Sequence, residues 1–290
     1  MVAAKKDRLN SYSDKDMEDI MSSHFGTLRK FSDDVWSMNT HAARVTLWAR
    51  WSSWSSIALY KIGLKRPPEE VREAFANAAR EVVTFFDLCW KRREEVARES
   101  RPKVEDARFL KDGTLAVTHS IPFSGANAHD YCGGLRFAVL GADAEARIKL
   151  SSLTRDQYHS TAEPCRESTL IRAEIIRQLI RKDDEKAAAL VDSLKVAVVK
   201  EGAKYAPGAL RLEEIRCILD RDARALRDLL CWHLDMQHKW AKRGSLRQDP
   251  DGLACKGCLF ISRLALERGM DLDIQNPYLP LEIIRYPLQS

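Results

Sequence analysis

The stretch LACKGCLFISRLALERG, residues 253–269, decides the fold, because it combines a suggestive chemical motif with a plain helical pattern. Cys255 and Cys258 stand three apart, a spacing that suits half of a zinc site, a thioredoxin-like dithiol or the opening turn of a buried helix. Zinc needs two more ligands, and His233 and His238 are the candidates. They are five residues apart, so on a helix they diverge by about 140° and cannot both face one ion. No second CxxC is present, and no βαβ pattern surrounds the pair as a thioredoxin-like motif requires. The remaining reading is structural. Spacing of three puts both thiols on one helix face beside Leu259 and Ile261, as small buried hydrophobes, and Gly269 stops the helix. The stretch is expected to pack, and to carry no metal.

Working outward, the same 3.6-residue period recurs. DRDARALRDLLCWHLDMQHKWAKRG places Leu226, Leu229, Leu230, His233 and Leu234 on one stripe, so His233 reads as a core histidine with a partner. ESTLIRAEIIRQLIRK buries Leu170, Ile171, Ile175, Leu179 and Ile180, and LRLEEIRCIL is a short helix. DDEKAAALVDSLKVAVVKEG begins on Asp183 or Asp184 as cap and stops at Gly202. The predicted C-terminal helices span 166–182, 184–201, 211–219, 221–242 and 253–268. Towards the N-terminus, DKDMEDIMSSHFGTLRKF and AARVTLWARWSSWSSIALYKIGL are helical, and Pro67 and Pro68 open a third helix with acids first and bases last. Trp48, Trp51 and Trp54 share one sector of their helix and are expected to fill the core between the first helices. Lys91, Arg92 and Arg93 read as a solvated helix end.

DGTLAVTHSIPFSGANAHDYCGG, residues 112–134, breaks the period with Gly, Ser, Asn and β-branched residues. With its strand-like TLAVTHSI it predicts an irregular surface excursion containing a short hairpin. Its HDYCGG invites a nucleophile reading, with Cys132 activated by His119 or His129 and with Gly133 and Gly134 as oxyanion donors. The plainer reading is a loop whose glycine pair supplies turn geometry. Phosphate-binding glycine loops, HExxH, GxSxG and paired-carboxylate motifs are absent from the sequence.

The fold class is therefore all-α: an antiparallel helix array, bundle- or solenoid-like, with one irregular insertion. The expected organisation is a polar tail over 1–14, a helical subdomain over 15–102, the insertion over 103–134 and a second helical subdomain over 135–290. Composition agrees, since the 290 residues are 45% hydrophobic and 31% charged, the mixture of a folded soluble protein. The net charge of +5 is spread along the chain and gives no concentrated basic face for nucleic acid. No run of about 18 apolar residues predicts a membrane span, and the start lacks a secretory leader. Seven scattered cysteines suit reduced thiols in the cytoplasm.

Residues 220–284 resemble the C-terminal part of the immunity protein 49 family of bacterial polymorphic toxin systems. The resemblance lies in DARALRDLLCWHLDMQHKW, the polar loop after it, and LACKGCLFISRLALERGMDLDIQNPYLPLEII with its closing YLP. AVLGADAEARIKLSSL and KDDEKAAALV also resemble its helical units, so the likeness covers about the second half of the chain. Trp232, Trp240 and the late proline after an aromatic are similar to the PoNe immunity protein (PoNi) family too. That family's GYW-type motif would fall at Lys256-Gly257-Cys258, where the aromatics are missing, which makes it the second choice. Either resemblance implies a cytoplasmic, non-enzymatic helical protein that binds and silences one cognate toxin effector domain and needs no cofactor. Two rivals are a metal- or cysteine-dependent hydrolase using the 119–134 loop, and an α-solenoid regulatory scaffold with a host protein partner.

If neighbouring C-terminal helices alternate in direction, their loops gather at one end. Asp183, Asp184 and Glu185, then Asp220 and Asp222, then Asp271 and Asp273 would form an acidic rim on a basic protein. Helix capping accounts for the first two groups but not for Asp271 and Asp273, which follow the last helix where its dipole disfavours them. The rim is therefore the candidate partner-binding surface.

Overall fold

The computed structural model describes residues 12–31, 34–99, 107–109, 115–117, 127–159, 165–201 and 212–287. His119 and most of the polar tail fall outside them. The chain opens with three long helices, α1 (Asp14–Lys30), α2 (Thr40–Gly63) and α3 (Pro68–Lys91), followed by the short α4 (Arg93–Glu99). Ser13 and Asp16 form a capping box on α1, the reciprocal arrangement that satisfies two orphan backbone donors. Asn39 caps α2 through Ala42 N at 2.9 Å, and Glu69 and Glu70 lie in the first turn of α3, where the helix dipole favours them. Aromatic side chains seal the unit. Trp51 of α2 meets Phe85 of α3 edge-on at 4.9 Å, and Phe25 of α1 meets Trp54 at 6.0 Å. Trp48 departs from the expectation. It is 47% exposed, because its helix buries only the sector that faces α1 and α3.

Two three-residue strands follow, β1 (Ala107–Phe109) and β2 (Leu115–Val117), paired antiparallel with Arg108 opposite Ala116. Residues 110–114 and 118–126 of the expected irregular insertion lie outside the described residues, and the chain is helical from Ala128. Helix α5 (Ala128–Leu140) starts on the N-cap Asn127 and contains the whole of HDYCGG. The physical reason lies in the glycines, which serve close packing and not a turn. A Cβ on Gly134 would sit 2.4 Å from Val82 Cγ1, and one on Gly141 2.4 Å from the backbone N of Ala76. Both positions therefore let α5 settle directly onto α3. The expected surface loop over 127–134 is in this respect corrected, since Ala128, Tyr131 and Gly134 are buried in that contact.

The rest of the chain is a run of mostly short helices with one long one, α12: α6 (Ala144–Ser152), α7 (Arg155–Tyr158), α8 (Glu167–Ile180), α9 (Asp184–Ala189), α10 (Val191–Glu201), α11 (Leu212–Leu219), α12 (Ala223–Arg243) and α13 (Lys256–Leu266). The helix expected over 184–201 is two, divided at Leu190, whose amide bonds back to Ala187 O. A repeat invisible as sequence identity appears in the joints. Gly141-Ala142-Asp143 links α5 to α6, Arg181-Lys182-Asp183 links α8 to α9, and Asp220-Arg221-Asp222 links α11 to α12. Each middle residue is left-handed, with φ of 53°, 60° and 59°. Each aspartate amide closes the preceding helix, onto Ala138 O at 3.0 Å, Gln178 O at 3.0 Å and Cys217 O at 2.9 Å. Each aspartate carboxylate then caps the following helix, through Ala146 N, Lys186 N and Ala225 N. This is a six-to-one helix stop fused to an Asp N-cap. Its recurrence makes the array a stack of helical hairpins whose first member, α5 with α6, rests on α3.

The C-terminal run after α13 is irregular but tied down. Arg263, 1% exposed, donates to Ile284 O at 2.8 Å and Tyr286 O at 2.9 Å, and its guanidinium stacks 3.6 Å from the Tyr286 ring centroid. Tyr286 in turn donates to Val139 O. Among the described residues, no helix is long and apolar enough to cross a membrane.

Candidate partner-facing surface

The repeated joints decide where the acidic residues go. Asp183, as N-cap of α9, accepts from Lys186 N at 3.2 Å and from Lys186 Nζ at 2.7 Å. Those bonds hold its carboxyl below the ordinary range. Asp184 accepts from Arg268 Nε at 3.2 Å and from Arg221 Nη2 at 3.2 Å. Arg221 also donates to Arg268 O at 3.0 Å, and Arg268 to Leu179 O at 2.8 Å. Three loops are thus brought to one end of the molecule, those after α8, α11 and α13. Asp222 is occupied in capping α12, while Glu185 and Asp220 are exposed.

Asp271 and Asp273 follow the last helix and are exposed. Asp271 pairs with Arg285 at 3.4 Å. Asp273 has φ 37°, a left-handed conformation that aspartate tolerates better than most side chains. It stands on the wall of a groove of about 930 Å³ between the irregular run 273–285 and the turn joining α2 to α3, where Lys65 and Arg66 line the other side. The end of the molecule is therefore of mixed sign. Arg181, Lys182, Lys186 and Arg221 interleave with the carboxylates in the joints, so the rim is less acidic than the aspartates alone suggest.

The buried ionic interior beside this end is more exacting. Glu267, with a side chain 3% exposed, pairs with Arg147 at 2.6 Å and Arg263 at 3.0 Å. Burial pushes its carboxyl up, but hydrogen bonds and charge from Arg147, together with the charge of Arg263, outweigh that and hold it below the ordinary range. On the other side of α13, His233 Nδ1 lies 2.8 Å from Glu214 Oε1, and both residues are buried. His233 is thus a core histidine with a carboxylate partner. His238 instead turns to the surface, with Nδ1 3.3 Å from the Tyr278 hydroxyl.

The parts of the alternative catalytic reading lie together at the start of α5, but not in a form that supports catalysis. Cys132 lies within α5 with its thiol pushed up to about 12 by burial, the opposite of an activated nucleophile. His129 is exposed at the first turn of α5, and Gly133 and Gly134 lie inside that helix and not in an oxyanion loop. Cys255 is the N-cap of α13, and Cys258 is in its first turn and fully buried. Among the described residues, no group of three or more His, Cys, Asp and Glu side chains could hold a metal ion.

Two surface features escaped the sequence reading. Trp36, Trp48, Trp90 and Trp232 are 40–47% exposed, with the Lys91 ammonium 4.5 Å over the Trp36 ring centroid. On α10, Val196 and Val199 are exposed beside a groove lined by Ile171 and Ala197. The second pair was legible in principle, since KVAVVK carries more apolar residues than one stripe can bury. The tryptophans were not, because periodicity gives a face but not which neighbour covers it.

Residues 63–283 match the family model described as Immunity protein 49. No curated protein matches the chain. No solved structure matches it either.

Proposed function

This chain belongs to the immunity protein 49 family, and we propose that it binds one cognate bacterial toxin domain stoichiometrically and silences it by occluding the toxin's active site or the approach of its substrate. The observation that carries this reading is the extent of the family match. It takes in α3 and every hairpin of the array, the elements that build the shared scaffold. The raised thiol of Cys132 and the helical placement of Gly133 and Gly134 support binding over catalysis. We place the toxin-facing surface at the end where the three loops meet, with Glu185, Asp220, Asp271 and Asp273 its exposed carboxylates beside the exposed capping Asp222, continuous with the groove beside Asp273. Charge there would speed encounter with a basic partner more than it would set affinity. The setting we propose is the cytoplasm of the cell that must be protected.

The test is protection. A toxin domain encoded beside this gene should arrest growth when expressed alone, and co-expression of this chain should restore it. Reversal of Asp220, Asp271 and Asp273 to Lys spares the capping aspartates. It should slow association and weaken its salt dependence while leaving thermal stability nearly unchanged. Growth arrest undiminished by an expressed, folded chain would overturn the reading. The recurrent hairpin joint favours a second reading, an α-solenoid scaffold for a host protein. Co-purification of one host protein at a fixed ratio, with no protection from any neighbouring toxin domain, would select it.

A further inference from the structure

Toxin binding gives no role to Cys255 and Cys258. In a regular helix, residues three apart hold their Cβ atoms about 5–6 Å from one another, too far for the roughly 3.5–4.5 Å of a disulfide. Cys255 is not in the regular helix. As N-cap of α13 it has φ −87° and ψ 86°, and this swings its side chain back over the first turn. The two sulfurs come within 2.9 Å. They are also unequal. Cys258 is fully buried, while Cys255 is partly exposed at the mouth of the helix.

We propose that Cys255 and Cys258 form a redox-active dithiol, oxidised by hydroperoxides to an intramolecular disulfide across the first turn of α13, with Cys255 the attacking sulfur and Cys258 the resolving one. The helix N-terminus favours a thiolate at the N-cap. The Cys258 thiol, the Cys258 amide and the His233 ring hold the Cys255 thiol below its ordinary range. Its hydrogen bond with Cys255 and burial push the Cys258 thiol well up, so of the two it is Cys255 that gives up its proton more readily. The Cys255 thiolate attacks the peroxide O–O bond, gives Cys255 sulfenic acid and releases hydroxide, or the corresponding alkoxide, which takes up the thiol's proton. The Cys258 thiol then attacks the Cys255 sulfur. The S–O bond breaks, water leaves with the Cys258 proton, and the S–S bond forms. One peroxide is reduced by two electrons for each disulfide made. The other cysteines supply internal controls: Cys231 is exposed, and Cys132 has its thiol pushed up to about 12.

The experiment uses the full chain, reduced, desalted and titrated with hydrogen peroxide at neutral pH, followed by intact mass and peptide mapping. The expected product has lost two hydrogens, carries a Cys255–Cys258 cross-link and returns to the starting mass with dithiothreitol. The cross-link should form about tenfold faster than oxidation at exposed Cys231, because Cys255 stands at a helix N-terminus with its resolving sulfur 2.9 Å away. In Cys258→Ser the reaction should stop at a sulfenic acid on Cys255, trapped by dimedone. Mapping of the unaltered chain decides the matter even if that variant fails to fold. Oxidation of Cys231 ahead of the pair, or a pair shielded by one bound zinc per chain, would overturn the proposal.

Discussion

The N-terminal unit and the hairpin array are both helical, yet different forces position their helices. In the unit, helices of 17, 24 and 24 residues present broad apolar faces. Aromatic contacts such as Trp51 with Phe85 fix them, and the turn from α2 to α3 shares the left-handed stop at Lys65 but lacks the Asp cap of the array joints. In the array every helix but the 21-residue α12 has 14 residues or fewer, and helices that short are marginal on their own. Their ends must be specified one by one, which the Asp-capped joint does three times. Buried arginine–carboxylate pairs then hold the array to the C-terminal run. The family match begins at residue 63, so α1 and nearly all of α2 precede it while the array lies wholly within it. The lesson is that apolar period can assemble long helices, whereas a stack of short ones depends on turn chemistry and specific polar pairing.

This contrast can be broken most forcefully at one residue from each side. Trp51→Ala should cost about 3–5 kcal/mol by opening a cavity between α2 and α3. Glu267→Ala should cost a comparable amount, about 3–5 kcal/mol, by leaving the buried Arg263 and the half-buried Arg147 without their carboxylate. Acid separates the two. Glu267 titrates below its unfolded value, so its contribution is complete above that value and is lost as pH falls through the depressed one. Denaturant melts against pH should therefore show the difference between wild type and Glu267→Ala shrinking on acidification, while the Trp51→Ala difference holds steady. A Glu267→Ala deficit that persists unchanged in acid would place its cost in packing and not in charge.

Next in size is the seam where the two regions meet. Gly141→Ala forces a methyl group against the α3 backbone, which should cost about 1–3 kcal/mol or more, as overpacking does. A Tm within a degree of wild type would mean that α5 can lift off α3 freely. Smaller effects belong to the joints. Asp143→Ala should cost about 0.5–2 kcal/mol through its lost cap. Lys182→Gly, at φ 60°, should raise stability by up to about 1 kcal/mol, since an L-residue pays roughly that to be left-handed. Destabilisation by Lys182→Gly would show that the lysine side chain, and not the backbone, makes that joint.

How much of this was legible beforehand follows the same division. Every long helix and most short ones showed in their apolar period, and the packing helix at 256–266 was readable from Leu259, Ile261 and Gly269. Caps were legible too, because Asp183 and Asp222 precede helical runs. The start of α5 was not, since Gly133-Gly134 resembles a turn unless one knows that Val82 lies against it. Nor was the joint at Gly141-Ala142-Asp143, where alanine occupies a left-handed position that turn chemistry assigns to glycine or asparagine. At the candidate surface the aspartates could be named, but their arginine partners could not. Asp184 meets Arg268 and Arg221 from 84 and 37 residues away, and no local spacing encodes such a meeting.

Neutralisation by binding makes one demand that no other reading shares. The toxin domain's own activity, followed in vitro while this purified chain is added, should fall linearly and reach zero at one chain per toxin. The two should then leave a sizing column as a single 1:1 complex. Residual toxin activity at severalfold excess of the folded chain, or complete loss at a small fraction of one equivalent, would contradict it.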